Sequence, residues 1–187
     1  GKNLSGGIEP CAGVAARDDI LGDNPHASGG STFAGTPGGC AAGLKTLEIY
    51  KRDNVLGLAQ HLAELAQKRM SDWAEKYSIV SEVRSLGLLM GVSVTDPTHS
   101  DIPEKKSPDT ELANSYMARS VRNEMLKNGV WAICDMEPTV RLYPALNMDQ
   151  QVLLEGLENT EAAIATIEKK GNTVGDYPAL PTGVVGF

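Results

Sequence analysis

Apolar positions along the chain follow two periods, and the change between them outlines the expected elements. Val55, Leu58, Leu62 and Leu65 share one face at helical spacing, with Trp73 further along, which predicts a helix over 54–77 capped by Asp53. From Ile79 the period shortens to two: Leu88, Met90, Val92 and Val94 alternate with Leu89, Gly91 and Ser93, so residues 79–94 are expected to hold one or two strands. Leu112, Tyr116, Val121 and Met125 then mark a helix that Asp109 opens and Asn128-Gly129 closes in a left-handed turn. Short strands are expected near 130–134 and 139–143. A last helix, from about Asp149, carries Leu153, Leu157, Ile164 and Ile167 on a single face.

The first fifty residues read differently. Residues 1–36 are rich in Gly, Ser and Asp, and their one apolar run, Cys11 to Ala16, reads as a buried strand or its equivalent. Thr36-Pro37 looks like a helix start, because a threonine oxygen accepts from free N–H groups and proline suits the first helical position. That helix should run to about Lys51. Three prolines among polar residues from Thr95 to Pro108 predict an exposed loop, and the tail after Lys170 is expected to be loosely ordered. Strands alternating with helices argue for a layered α/β or α+β architecture.

Charge and cysteine usage narrow the function classes. The chain has 187 residues, 41% of them hydrophobic, which suffices for a sizeable core. Its 17 basic and 24 acidic residues give a net charge of −7 without a basic stripe, so nucleic acid is not an expected partner. Cys11, Cys40 and Cys134 show no C-x-x-C spacing, and His26, His61 and His99 form no cluster with them. Neither a disulfide framework nor a metal site is predicted, and free thiols in a reducing, cytoplasmic setting are expected. No run approaches the roughly 20 apolar residues of a membrane span. The abrupt opening on Gly1-Lys2-Asn3-Leu4, without an initiator methionine, leads us to expect a preceding segment.

Four segments together change the picture. Gly1-Lys2-Asn3-Leu4-Ser5-Gly6-Gly7 is a lysine followed by a small-residue turn. Gly30-Ser31-Thr32-Phe33-Ala34-Gly35-Thr36-Pro37 is a hydroxyl-rich approach to a helix. Val83-Arg84-Ser85-Leu86-Gly87-Leu88-Leu89-Met90-Gly91 is a glycine-punctuated strand region, to which no chemistry is assigned. Val140-Arg141-Leu142-Tyr143-Pro144-Ala145-Leu146 places an arginine before a proline turn. In order and spacing, the four resemble the second half of the class III (4-aminobutyrate type) aminotransferases over about residues 1–168. Thr36 stands where that family usually has Asn, Ser85 where it commonly has Gly, and Ala145 where it has a second Pro.

The resemblance implies a pyridoxal 5′-phosphate (PLP) enzyme. Its fold would be the C-terminal end of the fold-type-I large domain (1–50) followed by a small α+β C-terminal domain (51–170) and a tail (171–187). It implies that Lys2 holds PLP as a Schiff base and, once freed, moves a proton, since burial near other cations favours a neutral amine. Thr32 would reach the PLP phosphate of the neighbouring subunit in a homodimer. Arg141 would grip the substrate carboxylate with its planar fork. The reaction implied moves an amino group from 4-aminobutyrate or a related ω-amino acid to a 2-keto acid. The acidic partner of the pyridine nitrogen and the aromatic cover of the ring would lie upstream, so this chain alone is not expected to be active. A racemase or epimerase of the same family and a non-catalytic α/β interaction module remain open as alternatives.

Overall fold

The computed structural model describes residues 3–22, 35–99, 108–135 and 137–173. The chain divides into two units, Gly1–Gly57 and Leu58–Phe187. Lys2 and Thr32 lie outside the described residues, as do 100–107 of the expected loop and 174–187 of the tail.

In the first unit a single turn, α1 (Asp18–Leu21), precedes the long helix α2 (Pro37–Arg52). Pro37 opens α2 as expected, but the Thr36 side chain makes no capping hydrogen bond. The run from Cys11 to Ala16 is not a strand: it has no regular structure and is largely exposed. A strand needs a partner for its backbone groups, and the described residues of this unit contain no other strand to supply one. The run's start is held by the Leu4 N–H donating to the Cys11 carbonyl at 2.9 Å. Glycines on α2 make room for that segment. A Cβ at Gly39 would stand 3.0 Å from the Pro10 carbonyl oxygen, and one at Gly43 would stand 3.4 Å from the Cys11 Sγ and 3.7 Å from the Leu4 carbonyl oxygen.

Asp53 does not open the next helix. It closes α2, its N–H donating to the Ile49 carbonyl at 2.9 Å, while its carboxylate accepts from Arg52 at 2.6 and 2.7 Å. Asn54 follows at φ 48°, a left-handed conformation that interrupts the helical path.

The helix expected over 54–77 is two pieces, α3 (Val55–Met70) and the single turn α4 (Trp73–Lys76). The buried stripe of α3 in the second unit is Leu62, Ala63, Ala66 and Met70, so the small alanines complete a face that the leucines only begin, and Leu58 is left exposed. The two-residue period from Ile79 becomes a hairpin of β1 (Val80–Leu86) and β2 (Leu89–Val94). Its loop is Gly87-Leu88, with Gly87 at φ +60° and Leu88 without a positive φ, the combination that a II′ turn uses to match strand twist.

After a 3₁₀ turn at Pro97–His99, α5 (Pro108–Lys127) begins on Pro108 itself rather than behind an Asp109 cap. It ends in a Schellman motif: Val130 N–H donates to the Met125 carbonyl at 2.9 Å and Gly129 N–H to Leu126 at 3.1 Å, with Gly129 at φ +82°. The strand expected near 130–134 is a single bridge between Ile133 and Arg141, whereas β3 (Thr139–Leu142) forms and adds antiparallel to the free edge of β2. The sheet order is β1-β2-β3. Asp149 caps α6 (Gln150–Lys170) by accepting from Gln151 and Val152 N–H at 2.8 and 3.3 Å.

One face of this sheet is the core. Met90, Val92, Val94, Val140 and Leu142 bury together with Met117, Val121 and Met125 of α5 and with Leu153, Leu157, Ile164 and Ile167 of α6. Full burial stabilises by about 1.5–3 kcal/mol for each such side chain. A polar knot ties the helices at the edge of this core: the buried Glu161 carboxylate accepts from Lys76 at 2.5 Å, from Tyr77 Oη at 3.0 Å and from Arg69.

Candidate active site

Strand alternation sends Glu82, Arg84 and Leu86 of β1, Leu89, Gly91 and Ser93 of β2, and Thr139 and Arg141 of β3 to the face opposite the core. Register sets them in rows. Arg84, Gly91 and Arg141 form one, and Glu82, Ser93 and Thr139 the next. Across the missing side chain of Gly91, Arg84 donates to Ser93 Oγ at 2.8 Å and to Thr139 Oγ1 at 3.3 Å, and it pairs with Glu82 at 2.6 Å. The Ser93 and Thr139 hydroxyls are 3.0 Å apart. A cavity of about 380 Å³ opens on this face, and Arg141, Arg84, Thr139, Leu89 and Tyr143 are among its lining residues.

Arg141 is held from both sides. Its strand pairs with β2, and its own N–H and carbonyl bond Ile133 at 2.8 and 3.1 Å. Its guanidinium Nη2 donates to the Asp135 carboxylate. Its Nε is buried and donates to nothing among the described residues. Burial works against the cation, but the Asp135 carboxylate and Tyr143 more than offset that and hold its pKa above the usual arginine value. A fixed, permanently charged fork at the rim of an open cavity is suited to recognising a carboxylate. Beside it Cys134 is half-buried, and burial pushes its thiol up despite the nearby Arg122 and Arg119.

Of the three site residues predicted from sequence, the structure places Arg141, and it places that residue in a cavity. What the described residues show beside Lys2 is a tight turn in which Gly6 and Gly7 take φ +67° and +89°, with Ser5 buried and its hydroxyl donating to the Glu9 carbonyl. Sequence reasoning does not single out Asp135 or the bared Leu86 and Leu89. The alternation in 79–94 holds the signal for the two leucines, since it puts them on the face of Arg84. Nothing local in the sequence points to Asp135. The described residues contain no cluster of three His, Cys, Asp or Glu side chains able to hold a metal. They also contain no helix long and apolar enough to cross a membrane.

Comparison with known proteins bears on this arrangement. Residues 1–164 match the family model of the class-III aminotransferases. The chain is 28% identical over 175 residues to a leucine/methionine racemase of Thermococcus litoralis, covering 94% of this chain and 37% of the relative. It is 24% identical over 163 residues to a probable 4-aminobutyrate aminotransferase of Bacillus subtilis, covering 87% and 35%. The chain thus spans little more than a third of the length of these relatives. Its structure is similar to that of an S-selective transaminase from Arthrobacter sp. with a TM-score of 0.72 over 91% of this chain and 38% of that one; at 22% identity this likeness shows the mixed α/β fold. The chain belongs to the class-III aminotransferases, a family of enzymes that use pyridoxal 5′-phosphate.

Proposed function

We propose that the protein carrying this chain is a transaminase that moves the amino group of 4-aminobutyrate or a related ω-amino acid to a 2-keto acid. The observation that carries the proposal is the family match over residues 1–164, which takes in all four motifs.

The glycines that follow Lys2 and those near Thr32 support a place for the cofactor. The turn after Lys2 is bent through two left-handed glycines, so the chain reverses there without side-chain bulk, and a Cβ on Gly35, at φ +72°, would meet nothing within 4 Å. Lys2 would hold PLP through its amine, and Thr32 would donate to the phosphate of the neighbouring subunit of a homodimer. When bound, PLP supplies the electron sink that lets a proton leave the carbon bearing the amine. The freed Lys2 amine would carry that proton, taking it from the substrate carbon as general base and delivering it to the cofactor's C4′ as general acid. Arg141 would hold the substrate by its carboxylate, which fixes that end of the molecule.

The test is to incubate the complete protein with PLP, 4-aminobutyrate and a 2-keto acid, and to follow the new amino acid by mass spectrometry. Amino transfer that requires the keto acid supports the proposal. The similarity to a leucine/methionine racemase favours one second reading, that Lys2 returns the proton to the opposite face. Inversion of a single amino acid with no keto acid present, and no transfer when it is added, would establish that reading instead.

A further inference from the structure

The open face of the sheet carries apolar side chains directly beside its arginines. Next to the row of Arg84, Gly91 and Arg141, Leu86 pairs with Leu89, and Tyr143 stands two residues beyond Arg141. Leu86 is 81% exposed, Leu89 61% and Tyr143 51%, and all three line the same cavity as both arginines. Large apolar side chains bared together, around a cavity in the size range of small-molecule sites, mark a binding surface.

The two arginines are not equivalent. Arg84 is committed to Glu82, Ser93 and Thr139, all on the sheet itself. Among the described residues Arg141 has one acceptor, Asp135, whose side chain is 70% exposed and readily rehydrated when displaced. A second carboxylate entering the cavity would have to compete with three partners for Arg84. A hydrocarbon chain would instead displace water from Leu86, Leu89 and Tyr143, which is favourable.

We infer that this cavity selects acids with one carboxylate and an aliphatic chain, the carboxylate on Arg141 and the chain along Leu86, Leu89 and Tyr143. The inference rests on the reading of Arg141 as the carboxylate ligand. It adds that the neighbouring row sets chain preference and that Arg84 is not a second carboxylate ligand.

The experiment is calorimetric titration of the complete, PLP-loaded protein with propionate, butyrate, pentanoate and glutarate, which need no turnover. Affinity should rise about fourfold for each added methylene that is fully buried. Pentanoate should bind tighter than glutarate, which has the same number of carbons. Leu89→Ser and Leu86→Ser, both at exposed positions, should flatten the rise, and Leu89→Met should restore it. Glutarate binding tighter than pentanoate, or a chain-length series unchanged in both serine variants, overturns the inference and leaves Arg141 untouched. If Arg141→Lys binds every acid as the parent does, the reading of Arg141 itself fails, whatever the leucine variants show.

Discussion

Arg84 reaches Thr139 over the bare Cα of Gly91, its Nη2 donating to the threonine hydroxyl at 3.3 Å from two strands away. The glycine is what permits the crossing. A Cβ there would stand 3.2 Å from Thr139 Cγ2 and 3.8 Å from the Cγ and Nε of Arg84. Gly91→Ala should therefore cost at most about 1 kcal/mol, the threonine shifting by a few tenths of an ångström. Gly91→Val should cost about 1–3 kcal/mol by overpacking and by dislodging Arg84. Urea denaturation checks both, and a valine variant as stable as the parent would show that these side chains move aside freely.

Arg141→Lys separates recognition from folding. The lysine keeps the charge but loses the planar fork, so carboxylate substrates should weaken by roughly 1.5–3 kcal/mol. Amines without a carboxylate should be nearly unaffected in their half-reaction. Equal losses toward both substrate types would make Arg141 a structural residue.

Glu161 makes stability depend on acid. Burial raises its pKa, but the hydrogen bonds from Lys76, Arg69 and Tyr77 outweigh burial and hold it below the ordinary glutamate value. A carboxyl with a depressed folded-state pKa adds stability above its unfolded pKa of about 4.3, and that stability is lost as the pH falls through the folded value. Glu161→Gln should cost about 1–2 kcal/mol at neutral pH, because the amide loses the charge-assisted hydrogen bonds from Arg69 and Lys76, whose cations remain partly hydrated. It should also flatten the acid limb of a stability–pH curve. An unchanged acid limb in the variant would place the acid sensitivity elsewhere.

The thiols should differ in reactivity. Cys40 is exposed, whereas Cys134 is half-buried and burial raises its pKa, so less of it is thiolate at neutral pH. Alkylation followed by peptide mass spectrometry should modify Cys40 well before Cys134. The opposite order would mean that the segment around Cys134 opens readily in solution.

What the sequence made legible is what repeats along it. The stripe of Leu153, Leu157, Ile164 and Ile167 is buried as its spacing predicts, and the alternation that starts at Leu88 is a strand from Leu89 to Val94 with Met90, Val92 and Val94 in the core. Single-residue signals did less well. Asp53 and Asp109 have the chemistry of helix caps, but a neighbouring guanidinium takes the first carboxylate and Pro108 already opens the helix of the second. The Cys11–Ala16 run is apolar enough for a strand, yet apolarity does not supply a backbone partner. At the candidate site, Arg141 stood out through its motif. The arrangement around it comes from register between strands far apart in sequence, which no local pattern encodes.

That register has a kinetic side. The turn at Gly87-Leu88 joins β1 and β2 through two residues, and a hairpin of this kind closes in microseconds. β3 joins β2 across a connection that holds the 3₁₀ turn, α5 and its Schellman turn, and closing that long connection is the entropically costly step. In refolding, protection of the hairpin amides should therefore precede protection of those of Thr139 to Leu142. The arginine at the rim of the cavity sits on the pairing that forms last, so any chain halted part-way would hold a finished hairpin with Arg141 still unplaced.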